Sequence, residues 1–163
     1  MKIAQRIHPC LWFDDEAETA ARLYTGIFPN SKITQIARYT EVGQEHHRKP
    51  PGSVMTVAFE LDGMPFTALN GGPIFKFNEA ISLQIYCDDQ EEVDHYWSKL
   101  TAGGQEQPCG WLKDRFGVSW QVVPQQLIDM TTDKDAAKSA RATQAMFTMK
   151  KIDIAAVRRA YAG

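Results

Sequence analysis

The residues best equipped for chemistry fall in two short alternating runs. His8, Cys10 and Trp12 occupy every second position before Asp14-Asp15, and Gln84 and Tyr86 do the same before Asp88-Asp89. A period of two is that of a β-strand, so each run sets its side chains on one face of a sheet. Ser119 and Gln121, spaced two apart in a later apolar run, add a hydroxyl and a second carboxamide. A neutral imidazole such as His8 is a metal ligand or a proton-transfer group. Aromatic walls with a few amides and hydroxyls are the usual lining of a small-molecule pocket. The alternative is a solid second core, because strands favour Trp and Tyr in any case. Against it, His8, Gln84, Ser119 and Gln121 together are too polar for a dry interior.

Other chemical signals are weaker. His46-His47 suggests a metal pair, but adjacent residues in a polar loop ordinarily face water. Asn70-Gly71-Gly72-Pro73 lacks the Gly-x-Gly-x-x-Gly spacing before a helix and reads as a turn rather than a phosphate loop. Cys109 has Lys113 and Arg115 nearby in sequence, which would lower its thiol pKa, although a structural thiol is the more ordinary role. Glu91, Glu92 and Asp94 read as a solvated acidic helix face.

The elements that must position these residues come in duplicate. A shift of 74 positions lays Ile7 on Ile81, the Asp14-Asp15 pair on Asp88-Asp89, and Glu18 on Glu92. In both copies an apolar run ends at Asp-Asp and a segment of helical period begins. Residues 5 to 13 read as a strand with Ile7, Pro9, Leu11 and Phe13 turned toward a helix. Asp14 or Asp15 caps that helix, which carries Ala17, Ala20, Ala21, Tyr24 and Phe28 and stops at Pro29-Asn30. Residues 31 to 41 form a second strand, 42 to 53 a long loop, and 54 to 61 with 64 to 69 a hairpin across Asp62-Gly63. The second copy follows the same order: a strand over 81 to 87, a helix through Val93, Tyr96, Trp97 and Leu100, a short strand near Glu106, and a hairpin turning at 114 to 117. Aligning Gly63 with Gly117 matches the last strands of both copies. Beyond Pro124 the pattern is helical, with Asp133 or Asp135 as a cap, and predicts two or three amphipathic helices packed on the sheet or on a partner.

Composition bounds the class. With 163 residues, 44% hydrophobic and 23% charged, the chain fits one globular domain or two small fused modules sharing a core. A net charge of −2 supplies no field for polyanions, which argues against a nucleic-acid partner. No run approaches the roughly 18 apolar residues of a membrane span, and no signal-peptide core is seen, so a cytoplasmic protein without membrane partners is expected. Three cysteines without a close pair suit reduced thiols.

Several segments carry a family resemblance. They are Leu11-Trp12-Phe13-Asp14, Phe28-Pro29-Asn30-Ser31, Ala68-Leu69-Asn70-Gly71-Gly72-Pro73, the run from Cys109-Gly110-Trp111 through Val118-Ser119-Trp120-Gln121, and Met149-Lys150-Lys151-Ile152-Asp153-Ile154. The chain resembles the vicinal-oxygen-chelate superfamily, which includes glyoxalase I, extradiol dioxygenases, fosfomycin-resistance enzymes and bleomycin-binding proteins. The match is closest to its 3-demethylubiquinone 3-methyltransferase-like, or glyoxalase-like, branch. The resemblance implies an α+β fold of two βαβββ modules with a C-terminal helical extension. Its parts would be module one over 1–75, module two over 78–124 and helices over 125–163, in one domain spanning 1–163.

In metal-using members each module supplies one ligand from its first strand and one from its last, all facing a shared cup. Carried over by position, these sites are His8, Thr67, Ser82 and Gln121. Only His8 is a good ligand and Gln121 a weak one, with Asn70 an amide in reserve, and no carboxylate is present. A weakly bound divalent metal is therefore the most that is expected, and His8 without metal is the simpler reading. The expected ligand-binding set is His8, Cys10, Trp12, Thr67, Ser82, Gln84, Tyr86, Trp111, Ser119 and Gln121, around a small molecule.

Methyl transfer is not expected. Methyltransferases of the doubly wound type hold S-adenosylmethionine at a glycine-rich turn after their first strand, whereas here that strand runs into Trp12-Phe13-Asp14-Asp15. Two functions stay open: a metal-assisted lyase, isomerase or dioxygenase-type enzyme, or a metal-free binding protein of the bleomycin-resistance type. The resemblance also implies a homodimer.

Overall fold

The computed structural model describes residues 5–163. Contacts within the chain divide it into two compact units, the first ending at Lys76 and the second beginning at Phe77. Each holds a four-stranded sheet with a helix on one face, and the two share one connectivity.

In the first unit the elements are β1 (Cys10–Phe13), α1 (Ala17–Ile27), β2 (Lys32–Arg38), α2 (Gln44–His47), β3 (Val54–Leu61) and β4 (Met64–Asn70). The sheet order is β1-β4-β3-β2, with β1 parallel to β4 and the remaining pairs antiparallel. Alternation decides which side chains are buried. Val57, Phe59 and Leu61 of β3 and Phe66 and Ala68 of β4 are buried together with Phe13, while their neighbours in sequence point the other way. Against this face lie Ala17, Ala20, Ala21, Tyr24 and Ile27, a helical stripe whose alanines let α1 approach closely. Tyr24 packs near Phe59, and Phe59 stacks on Phe66 with centroids 5.4 Å apart. Asp62 and Gly63 both take positive φ, 47° and 77°, as a two-residue hairpin turn requires.

The second unit repeats this as β5 (Leu83–Cys87), α3 (Gln90–Thr101), β6 (Gln105–Glu106), β7 (Trp111–Lys113) and β8 (Ser119–Pro124), in the order β5-β8-β7-β6. Here β5 is parallel to β8. Ile85, Cys87, Leu112, Trp120 and Val122 are buried with Val93, Tyr96, Trp97 and Leu100 of α3. The buried Asp114 closes the β7–β8 turn: its carboxylate accepts from the backbone N–H of Phe116 and Val118 and from the Trp120 indole at 2.9 Å. Three helices follow: α4 (Gln125–Thr131), α5 (Ala136–Phe147) and α6 (Ile154–Ala162). They enclose Leu127, Met130, Ala142, Ile152 and Val157, with Met146, Met149 and Tyr161 at the margin. Asp135 and Asp153 cap α5 and α6 through their carboxylates. The amides of Cys109 and Gly110 donate to the carbonyls of Met149 and Lys150, tying the extension to the start of β7.

The structure departs from the sequence expectations at the strand and helix ends. The first strand begins at Cys10 rather than near residue 5. Continuing the β1–β4 register would set His8 beside Pro65, which has no N–H to offer the ladder. Ile7 and Ile81, read as helix-facing, are consequently exposed, at 85% and 72%. Neither Asp14 nor Asp15 caps α1. Glu16 occupies the cap position without a side-chain bond, and the first helical amide, on Ala17, donates instead to Asn70 Oδ1 at 2.8 Å. In the second unit the aspartate does cap: Asp89 accepts from the Glu92 amide, and Glu92 accepts from the Asp88 amide, a close relative of the capping box. The long loop at 42 to 53 contains the single turn α2, held between left-handed Gly43 and Arg48.

Candidate functional site

Strand pairing places the candidate residues on the open face of each sheet, opposite the helix. In the first unit Cys10 pairs with Thr67 and Trp12 with Leu69, while Phe13 and Asn70 lie on the helix side. His8 Nε2 lies 3.4 Å from Thr67 Oγ1, so the imidazole and the hydroxyl form one polar patch. Trp12 is held by its own unit. Its indole N–H donates to Gly72 O at 2.8 Å, and its ring meets the edge of Phe75 at 4.9 Å. A Cβ on Gly71 would overlap that indole, so Gly71 is the residue that lets the loop close over it. Desolvation pushes the Cys10 thiol above its ordinary value, which keeps it protonated and a poor nucleophile.

The features read as weaker signals have local explanations. Asn70 is buried, with Oδ1 taken by Ala17 and Nδ2 donating to Val54 O at 3.1 Å, so its amide is not free for a metal. Gly71 and Gly72 donate to Phe13 O and Asp14 O, which makes this stretch a turn bound to the end of β1. His46 faces Glu45, whereas His47 stacks on Tyr39 and accepts from the Lys49 amide through Nδ1. Lys113 is committed to Glu79 at 2.5 Å and holds that carboxyl below its usual range, so it does not serve Cys109. Among the described residues no three His, Cys, Asp or Glu side chains gather as a metal site.

The second unit assembles a continuous polar row. Gln84 sits beside Gln121, and Trp111 pairs with Gln121 from the other side. Tyr86 OH donates to Gln84 Oε1 at 3.1 Å, Gln84 Nε2 donates to Gln121 Oε1 at 3.3 Å, and Gln121 Nε2 donates to Ser82 Oγ at 2.8 Å. Every bond in the row runs in the same sense. A carboxamide offers two donors and two lone pairs, so each glutamine keeps one of each to spare. Ser119, further along the same face of β8, is 2% exposed, and its Oγ has no hydrogen-bond partner among the described residues.

Next to this row is a cavity of about 510 Å³. Gln84, Trp111, Gln121 and Val123 form its sheet side, and Pro108 and Cys109 form its edge. The helix side is Leu127, Ile128 and Thr131 of α4 with Met146 and Phe147 of α5. Of the ten ligand-binding residues expected from sequence, Gln84, Trp111 and Gln121 line this cavity. Ser82 and Tyr86 lie at the two ends of the hydrogen-bonded row that passes through it. Cys10, Trp12 and Thr67 belong to the first unit's sheet, and His8 lies just before its first strand, beside Thr67. Sequence reasoning missed the helix side and Cys109. The available signal was the apolar stripe beginning at Leu127 directly after a strand, which called for burial without saying where.

The family model described as 3-demethylubiquinone-9 3-methyltransferase matches residues 5–123. A 3-demethylubiquinone-9 3-methyltransferase-like PhnB protein from Bacillus cereus is 33% identical, with a TM-score of 0.66 over 74% of this chain and 99% of that one. Protein PA1353 from Pseudomonas aeruginosa is 18% identical with a TM-score of 0.59, covering 74% of this chain and 98% of that one. The fosfomycin resistance protein FosX from Mesorhizobium loti is 14% identical with a TM-score of 0.51, covering 75% and 92%. The last two share the fold. Among curated proteins none matches. The family match ends before α4, so the helices that wall the cavity lie beyond it.

Proposed function

The chain belongs to the 3-demethylubiquinone-9 3-methyltransferase family of the vicinal-oxygen-chelate superfamily, and from that premise we propose that it binds a small molecule without a metal. The site is the cavity between the open face of the second sheet and helices α4 and α5. The observation that carries this reading is the combination of an apolar wall with a paired-amide edge. Trp111, Leu127, Ile128, Met146 and Phe147 enclose a volume within the range of roughly 300–1,000 Å³ typical of small-molecule sites. Gln84 and Gln121 supply the polar edge. Their spare N–H and lone pairs suit a planar, largely apolar molecule bearing a carboxamide or similar group that both donates and accepts.

A metal-assisted reaction finds less support in the donor set. Of the four positions at which superfamily members place ligands, His8 alone carries a strong one, and Gln121 offers only a neutral amide oxygen that it shares with Gln84. Hydroxyls such as Thr67 and Ser82 are poor ligands for transition metals at neutral pH. These residues fit a divalent ion poorly. Methyl transfer from S-adenosylmethionine is set aside as well. Each sheet contains a single parallel strand pair, so neither forms the doubly wound parallel sheet whose carboxyl ends make a nucleotide crevice. A homodimer is part of the proposal, since Ile74, Phe75, Ile81 and Tyr86 leave large apolar side chains in solvent.

The test uses 2-naphthamide as a probe and intrinsic tryptophan fluorescence as the readout. Saturable quenching that disappears in Trp111→Phe and survives in Trp12→Phe is the expected result. Quenching lost only in Trp12→Phe would place the ligand against the first unit and overturn the assignment.

A further inference from the structure

Of the three asparagines in the chain, Asn70 alone precedes a glycine. Glycine has no side chain to shield its amide nitrogen and no Cβ to restrict its backbone, so an asparagine before it is the one best placed to react with the main chain. The first unit requires both residues, each for its own reason. A Cβ on Gly71 would overlap the Trp12 indole. Asn70 accepts from the Ala17 amide at 2.8 Å and donates to Val54 O at 3.1 Å, a pairing that an aspartate cannot make because it has no N–H. Packing alone thus installs a chemically labile pair at the end of β4.

The same packing holds the two reacting groups apart. Asn70 is 5% exposed and lies opposite Phe13 in the β1–β4 ladder. The Gly71 N–H donates to Phe13 O at 3.0 Å, toward β1, whereas the Asn70 carboxamide is directed to α1 and to the start of β3. Tyr39 OH adds a bond of 2.6 Å to the Asn70 carbonyl, which lies between the two. For Gly71 N to reach Asn70 Cγ, the glycine must leave Phe13 and the carboxamide must leave both of its partners, so the end of β4 has to open first.

We propose that Asn70-Gly71 is a deamidation site that the folded first unit keeps shut and that reacts whenever the end of β4 detaches. The Gly71 nitrogen attacks Asn70 Cγ and forms a C–N bond. The side-chain nitrogen departs as ammonia, taking the amide proton, and leaves a cyclic imide. Water then opens the ring at one of its two carbonyls and gives aspartate or isoaspartate. Neither product fits the original seat. Aspartate keeps an oxygen for the Ala17 amide but turns the other on Val54 O, a charged acceptor against an acceptor at a buried position. Isoaspartate lengthens the main chain by a methylene and carries Gly71 off the Trp12 ring. The reaction is therefore a one-way loss of native packing in the first unit, paced by how often the strand end opens, and it is independent of the ligand cavity in the second unit.

The experiment incubates the full chain in mildly alkaline buffer with and without urea and follows the mass gained at each asparagine when an amide becomes an acid. In urea, Asn70 should convert several-fold faster than Asn30 or Asn78. In native buffer its rate should fall by at least about tenfold, equivalent to an opening free energy of about 1.4 kcal/mol or more. Tyr39→Phe, which loses the bond to the Asn70 carbonyl, should speed the native reaction and leave the rate in urea unchanged. Chains aged in urea and returned to buffer should unfold at a lower urea concentration than fresh ones, as should Asn70→Asp. Equal rates at Asn70 with and without urea would overturn the proposal, as would an Asn70 no faster than Asn30 and Asn78 in urea. So would an unchanged native rate in Tyr39→Phe, or aged chains that unfold at the same urea concentration as fresh ones. Should either variant fail to fold, the comparisons on the unaltered chain decide.

Discussion

Single residues explain why similar side chains play different parts in the two units. Trp12 and Trp111 both face away from the sheet's helix, as strand alternation predicts, yet Trp12 is clamped by Gly71, Gly72 and Phe75 while Trp111 borders the cavity. The facing direction was legible in the sequence because it follows from a period of two. The clamp was not, because it depends on Gly72, sixty positions further along the chain, and on Gly71 beside it. Gly71→Ala should therefore force the indole out of its seat, and near-ultraviolet circular dichroism should show a changed tryptophan band with secondary structure retained. Cys87 gives a second residue-level expectation. Burial, reinforced by Glu92, Asp89 and Asp88, pushes its thiol from 9.0 to about 12. A folded pKa above the unfolded one means that this contribution is complete below about pH 9 and is lost as pH rises toward 12. Alkaline unfolding of Cys87→Ala should show a shallower loss of stability over that window than the parent.

At the level of elements, the duplicated strand and helix were readable from hydrophobic periodicity, and their helix starts were not. The two Asp-Asp pairs look alike in sequence, but only Asp89 caps. Asp14 has its backbone carbonyl drawn into contacts with Gly72 and Lys49, and the buried Asn70 takes over the helix start from the end of β4. A cap supplied from fifty-three residues away has no local signature. Asn70→Ala leaves the Ala17 amide and the Val54 carbonyl without partners, and the loss should be about 1–3 kcal/mol in urea unfolding. Asp89→Ala removes an ordinary exposed cap and should cost about 0.5–2 kcal/mol. The C-terminal helices were expected as amphipathic elements, and their buried stripe of Leu127, Met130, Ala142, Ile152 and Val157 packs them against one another. Ile152→Ala, at 1% exposure, should cost about 2–5 kcal/mol.

For the molecule as a whole, the two-module α+β architecture follows from repeated short-range patterns, which is why so much of it is legible in the sequence alone. The cavity is a tertiary product. It needs the alternation of β5, β7 and β8 to present Trp111 and two amides, and it needs helices from a later stretch of chain to enclose them. The homodimer proposed for the exposed apolar side chains predicts a sedimentation mass of twice 18.4 kDa, and a mass of 18.4 kDa at micromolar concentration would speak against it.

Metal-independent binding between the second sheet and its covering helices can be measured by calorimetric titration of chelator-stripped protein with 2-naphthamide. The expected result is a saturable heat unchanged by chelation and weakened about tenfold in Gln121→Leu, where the amide edge is lost. Binding that vanishes with the chelator and returns on adding a divalent ion, or that is indifferent to Gln121→Leu, would contradict it.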